Sequence, residues 1–185
     1  GHLLRGNRST KINADGFFAF DSFNYPHLCD AGVNFTYHDH HILRPNFEKR
    51  MIPHYGMNSN VAIFSIFPGI QERIVRDFLN SRDMRGIVMR TYGSGNAPQT
   101  PWLTPLLKAA AQNGMVIVNI SQCVAGSVVM GRYDTGYQLL DAGVVSGGDC
   151  TVEAAITKLM FLQANYNDPN TIRTLMSKPL AGEMS

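Results

Sequence analysis

The chain has 185 residues, of which 44% are hydrophobic and 16% charged, and its formal net charge is +2. That length supports one sizeable core with at most a small appendage, and the apolar content is that of a folded globular chain rather than a disordered one. Sixteen scattered Lys and Arg against fourteen Asp and Glu speak against nucleic acid or an anionic membrane as the main partner and favour a small-molecule ligand.

Gly1 leads straight into a strand-like segment with no cap or tail before it, so the chain is expected to continue a longer one. In RGNRSTK, Arg5, Arg8 and Lys11 crowd three like charges into seven residues. Composition alone reads this as a solvated basic turn or a phosphate contact. His38, Asp39, His40 and His41 follow in a strand-like stretch, where alternation puts His38 and His40 on one face. A third ligand at metal spacing is not evident there, so the run is expected to be an exposed polar edge, with no metal and no cofactor. Residues 44–60, with Pro45, Pro53, Gly56 and several Asn, have no period and read as a linker. Residues 1–43 are then the tail of a preceding domain.

Residues 61–185 read as one α/β domain, a parallel sheet flanked by helices. VAIFSIF at 61–67 is a nearly continuous apolar run ended by Pro68-Gly69, which predicts a strand buried on both faces. Ile70, Ile74, Val75, Phe78 and Leu79 then recur at helical spacing opposite Glu72, Arg73, Arg76 and Asp77. A second strand starts at Gly86 and breaks at Gly93. A second helix places Leu103, Leu106, Leu107, Ala110 and Ala111 on one face and stops at Asn113-Gly114. MVIVNI at 115–120 is the third strand, and strand-helix alternation with short links implies right-handed crossovers. Val152, Ala155, Ile156, Leu159 and Met160 mark another helix. Asp168-Pro169 caps a last one that carries Ile172, Leu175 and Met176 and stops before Pro179.

Ligands of open parallel sheets bind beyond the carboxyl ends of the strands, near the point where strand order reverses. Two such ends are rich in polar residues: Arg90 to Pro98, and Asn119 to Cys123. A guanidinium at Arg90, ending a buried strand, needs either an internal carboxylate or the carboxylate of a ligand. Gly93 and Gly95 hint at a dinucleotide loop, but Pro98 sits where its last glycine belongs, and proline neither donates an amide hydrogen nor lets the preceding residue turn helical. Cys123 has no nearby histidine and reads as a small semi-buried contact residue. Three cysteines without C-x-x-C spacing indicate neither a disulfide framework nor zinc, and fit a reducing compartment. No apolar run approaches the roughly 18 residues needed to span a bilayer. The glycosylation triplets at Asn7, Asn34 and Asn119 are read as chance, Asn119 lying in a buried strand.

RGNRSTKINADGFFAF, YGSGNAPQ, NISQC, GYQLLDAGVVSGGDCTVEAAITKL and LAGEM together resemble type I L-asparaginases, in the family's order and over most of the chain. The resemblance implies the Rossmann-like or flavodoxin-like carboxyl-terminal domain of a cytoplasmic enzyme that hydrolyses L-asparagine to L-aspartate and ammonia as a homodimer or homotetramer. It implies a catalytic role for Lys11, helping to deprotonate a threonine nucleophile. The family's Thr-Gly-Gly-Thr-Ile and Gly-Thr-Asp segments do not occur in this sequence, so the chain alone is expected to be inactive. The resemblance further implies an allosteric asparagine site at Thr10, Arg90 and Cys123, with Arg90 as carboxylate clamp. Asn96 would reach the active site of a neighbouring subunit. Ser9 stands where many relatives have threonine. A non-catalytic asparagine-binding domain and a subunit of a transfer-RNA amidotransferase are the alternatives, the latter disfavoured by the absence of a basic extension.

Overall fold

In the computed structural model, which describes residues 1–131 and 134–185, five short strands open the chain: β1 (His2–Leu3), β2 (Thr10–Lys11), β3 (Phe20–Asp21), β4 (Cys29–Ala31) and β5 (Phe35–Tyr37). They form an antiparallel sheet in the order β1-β4-β5 and a separate β2-β3 pair. Residues 42–60 contain turns and bends but no helix or strand. The rest alternates: β6 (Val61–Ser65), α1 (Glu72–Leu79), β7 (Gly86–Thr91), α2 (Leu103–Gln112), β8 (Val116–Ser121), α3 (Asp134–Asp141), β9 (Val145–Ser146), then α4 (Val152–Asn165) and α5 (Pro169–Met176). Every neighbouring pair in the second half is parallel, giving the expected α/β architecture.

The side-chain alternation of the inner strands divides two cores. Ile87, Met89 and Ile117 pack with Val75, Leu103, Leu107 and Leu139 from α1, α2 and α3. Val88, Val116, Val118 and Ile120 point the other way, onto Ala155, Leu159, Leu162, Ile172 and Met176 from α4 and α5. Both faces are covered, which is why β7 and β8 read as unbroken apolar runs. Strand order β6-β7-β8-β9 follows chain order without reversal, so this sheet has no switch point to locate a ligand, contrary to expectation. Successive crossovers of one hand in one direction leave α1, α2 and α3 on the same face.

Other expectations need correction. β6 is an edge strand, paired only with β7, and ends at Ser65; Ile63 is 46% exposed rather than buried on both faces. His38 to His41 are not in a strand: β5 ends at Tyr37 and Asp39–His41 form a 3-10 turn. Two helix ends behave as read: Asp168 accepts hydrogen bonds from the amides of Asn170 and Thr171, and Gly114 takes φ of +92° where α2 stops. The structure adds Thr151, whose side chain accepts from the Ala154 amide. Among the described residues no helix is long and apolar enough to cross a membrane.

Two buried ion pairs close the fold. Lys158 of α4 bonds Glu183 at 2.6 Å, both almost fully buried, and Glu183 also accepts from the amides of Leu180 and Ala181, pinning the last residues beneath the helix. Arg8, 2% exposed, donates to both carboxylate oxygens of Asp149 at 2.9 and 2.7 Å, to the carbonyls of Asn24 and Glu183, and to Ser185 Oγ. One guanidinium thus joins the amino-terminal segment, the loop before α4 and the last residues.

Removing one partner of such a pair leaves a buried charge without compensation. Arg8→Ala is therefore expected to lower stability by about 3 to 5 kcal/mol, read from urea unfolding, and a loss below about 1 kcal/mol would contradict the clamp. Burial would raise the Asp149 carboxyl, but hydrogen bonds from Arg8 and Ser185 outweigh it and hold the group at about 2. A carboxyl depressed in the folded state contributes fully above its unfolded value of about 3.9 and loses that contribution as pH falls toward 2. Unfolding curves between pH 5 and 2 should therefore be less steep in Asp149→Asn than in the wild type.

Candidate functional site

Ser9 caps the 3-10 turn Gly6–Arg8, and the chain then extends as β2, opposite Asp21 and Phe20. Adjacent residues of a strand point to opposite faces. Thr10 is half-buried and its hydroxyl donates to Glu153 Oε1 at 2.6 Å, in the first turn of α4. Lys11 is exposed, its Nζ 5.4 Å from the centroid of Phe20.

Thr10 lines a small cavity of about 80 Å³ together with Arg90, Ser121, Gln122, Cys123, Gly148, Cys150 and Glu153. The structure therefore brings Thr10, Arg90 and Cys123, 113 residues apart at the extremes, to one place. Lys11 and Asn96 lie outside it. Asn96 is half-buried and its side-chain oxygen accepts from Thr135 at 2.9 Å. Cys123 is exposed, not semi-buried, and all three cysteines are free. Cys150, by contrast, is buried at the cavity wall, which pushes its thiol up to about 11 and makes it a poor nucleophile.

Arg90 decides between the two readings of its charge. Its side chain is half-buried, makes no ion pair among the described residues, and has a buried Nε without an acceptor. Among the described residues, no carboxylate satisfies it. The first turn of α4, with Thr151 as cap, lies at the same cavity and adds the positive end of a 14-residue helix. Glu153 supplies the opposite charge across from Thr10. A guanidinium and a carboxylate lining one cavity suit a zwitterion.

The walls are held by backbone-directed hydrogen bonds. Gln122 donates to the carbonyls of Ile66 and Arg90, Ser121 donates to Gly93 and accepts from the Cys123 amide, and Asn24 ties Gly126 and Asp149 to the amino-terminal segment. Buried Thr91 donates to Asn119, whose amide donates to Gly95, fixing the loop after β7. Gly95 has φ of +110° and a Cβ there would meet Val128 at 2.7 Å. That loop closes on itself through Tyr92 and Asn96 and opens no helix before Leu103, as expected for a loop that is not a dinucleotide cradle. Glu153, Asn24 and Asp149 were not singled out from the sequence, because their roles depend on contacts across more than 100 residues, and for the same reason Arg8, read as part of a solvated basic turn, is instead buried on Asp149.

A larger cleft of about 420 Å³ lies at the opposite, amino-terminal edge of the sheet, near Met84, Arg85, Asn113 and Pro169. None of the residues lining it is an acid, a histidine or a cysteine.

Gly147 is the tightest point beside the cavity: a Cβ would stand 2.6 Å from Ile120 and 3.3 Å from the Asn119 carbonyl. Gly147→Ala is expected to cost about 1 to 3 kcal/mol, seen as a thermal midpoint several degrees lower; an unchanged midpoint would show that the loop yields freely.

Residues 60–176 match the family model described as the glutaminase/asparaginase C-terminal domain. L-asparaginase 1 of Escherichia coli K12 is 42% identical over 189 residues, covering 99% of this chain and 54% of that protein. The 60 kDa lysophospholipase of mouse is 38% identical over 184 residues, covering 99% of the chain and 32% of that protein. The crystal structure of L-asparaginase I from Vibrio cholerae superposes with a TM-score of 0.93 at 38% identity, across all of this chain and 55% of that one. The chain thus spans about half the length of the asparaginases it matches or less of other relatives.

Proposed function

Because the chain belongs to the glutaminase/asparaginase family, we propose that it is the carboxyl-terminal part of an L-asparaginase, an amidohydrolase converting L-asparagine to L-aspartate and ammonia. Residues 1–43 are the end of the amino-terminal catalytic domain, 44–60 the linker, and 61–185 the carboxyl-terminal α/β domain. The exposure of Phe17, Phe18, Phe20, Val33, Phe35 and Tyr37 supports this division, since so many apolar side chains on one short segment suit a surface covered by the rest of a domain. Lys11 acts in the catalytic domain, where an amine near an acid helps remove the proton of a threonine supplied by the amino-terminal half. Asn96 contributes to the pocket of a neighbouring subunit in a homodimer or homotetramer. Three free cysteines fit a cytoplasmic setting.

The cavity at Thr10, Arg90 and Cys123 binds asparagine as an allosteric effector, with its α-carboxylate on Arg90 and its ammonium toward Glu153. The observation that carries this is the guanidinium of Arg90 left without a carboxylate among the described residues beside an acid and a helix amino terminus. The same observation also accommodates a reading of this half as an asparagine sensor that takes no part in hydrolysis.

Titration calorimetry of the chain with L-asparagine is expected to give one site. Arg90→Ala should weaken it on the order of 10- to 100-fold, the range of a charge-assisted hydrogen bond; equal affinity in the variant would remove the clamp. The chain alone is expected to release no ammonia from asparagine, measured by a coupled assay, and turnover would overturn the threonine-based assignment. In the protein completed with its amino-terminal half, Lys11→Met should abolish turnover and spare calorimetric binding at Arg90. Turnover surviving that change would favour the sensor reading.

A further inference from the structure

Away from the cavity, the antiparallel sheet gathers chemistry that the sequence scatters. β1 and β4 are in register with His2 opposite Asp30, and His27 precedes Asp30 by three residues. The rings of His2 and His27 stack with centroids 3.8 Å apart. Nδ1 of His2 lies 2.8 Å, and Nδ1 of His27 3.6 Å, from the same Asp30 oxygen, Oδ1. Each residue offers one ligand atom, and the three lie within 4.8 Å of one another. The other Asp30 oxygen, Oδ2, accepts a hydrogen bond from His38 Nε2 at 2.9 Å.

We propose that His2, His27 and Asp30 form a binding site for a transition-metal dication of the zinc type, with His38 holding the carboxylate in its binding orientation. Ligand atoms about 2.0 Å from a tetrahedral ion stand roughly 3.3 Å from each other, and the two nitrogen-to-oxygen distances, 2.8 and 3.6 Å, bracket that value. Small shifts of the ring torsions therefore admit the ion without moving the backbone. Two imidazoles and one carboxylate favour zinc, cobalt or nickel over magnesium and calcium, which prefer all-oxygen shells. Three protein ligands leave a fourth position to water. Hydrogen bonding of a ligating carboxylate by a neighbouring imidazole is the outer-shell support that such sites use. The ion ties β1 to the turn entering β4, across 25 residues of sequence, and so acts as a clip on a segment of very short strands. The histidine run at 38–41, considered above for metal binding, supplies only this outer partner.

The test uses tag-free protein, because an affinity tag supplies competing imidazoles. Calorimetry with zinc chloride is expected to give one ion per chain, with a thermal midpoint raised by zinc and not by magnesium. Replacement by cobalt should give visible absorption bands of a four-coordinate site. His27→Ala, at a partly exposed position outside both cores, should weaken zinc at least tenfold while leaving the zinc-free midpoint unchanged. The double variant His40→Ala/His41→Ala keeps all four residues and should bind as the wild type does; those two rings lie 3.9 Å apart and are imidazole donors outside the proposed set. No zinc uptake by the wild type, or loss of uptake in the double variant with full retention in His27→Ala, would overturn the site. If His27→Ala proves less stable without metal, His38→Gln serves instead, with weaker zinc binding expected and equal binding counting against the proposal.

Discussion

The arrangement rests on the guanidinium of Arg8. Its two terminal nitrogens meet a bidentate carboxylate, two backbone carbonyls and a serine hydroxyl drawn from three separate stretches of chain, with only Nε left without an acceptor. A buried pair of this kind repays its desolvation only when the geometry is good, so its main product is definition rather than net stability. What it defines is where the first residues of the chain sit against the loop between β9 and α4. Thr10 is two residues farther on, and Asn24, whose carbonyl Arg8 holds, also bonds that loop. Arg8 thus seats the wall that carries Thr10 and Asn24, while the sheet and the first turn of α4 make the others.

That dependence gives the cavity two owners. The sheet contributes Arg90 and the Ser121 to Cys123 turn, and the helix α4 contributes its first turn; the amino-terminal segment contributes Thr10. Thr10 and Lys11 are consecutive on a two-residue strand and point to opposite faces. A ligand that draws Thr10 toward itself must act on the same backbone that carries Lys11. Shared backbone provides the physical contact that coupling needs.

Much of the second half of the chain was legible from sequence because its signals are local. Asp168-Pro169 and Asn113-Gly114 announce a helix start and stop through their own side chains and backbone preferences, and both appear where read. Two elements escaped. α3 is only eight residues long with Gly136 inside it, and β9 is two residues long, too short for any period to register. The burial of β6 was misjudged because an apolar run reports a strand but not whether it has one neighbour or two. In the site, Arg90 was recognisable as a charge at a buried strand end, and the resemblance connected it with Thr10 and Cys123. Glu153 was invisible for the opposite reason: an acid in a first helical turn is so common that only its contact with Thr10 distinguishes it.

The absence of a strand-order reversal explains why the carboxyl ends of these strands need help to make a pocket. In a doubly wound sheet, the crevice opens where neighbouring crossovers go to opposite faces. Here α1, α2 and α3 all pack on one face and the order β6-β7-β8-β9 never turns back, so the strand ends alone form a ledge rather than a cleft. Closure comes from outside the sheet, through the segment held by Arg8, and it brings Thr10 and Asn24 over the ledge at the point where Arg90 has no carboxylate of its own. A pocket built that way is complete only when both parts of the chain are in place, which makes its occupancy a report on their contact. Under the proposed effector reading, a ligand on Arg90 favours the seating of the strand that carries Lys11, and linkage then requires that a ligand held at Lys11 favour binding at Arg90 by the same factor.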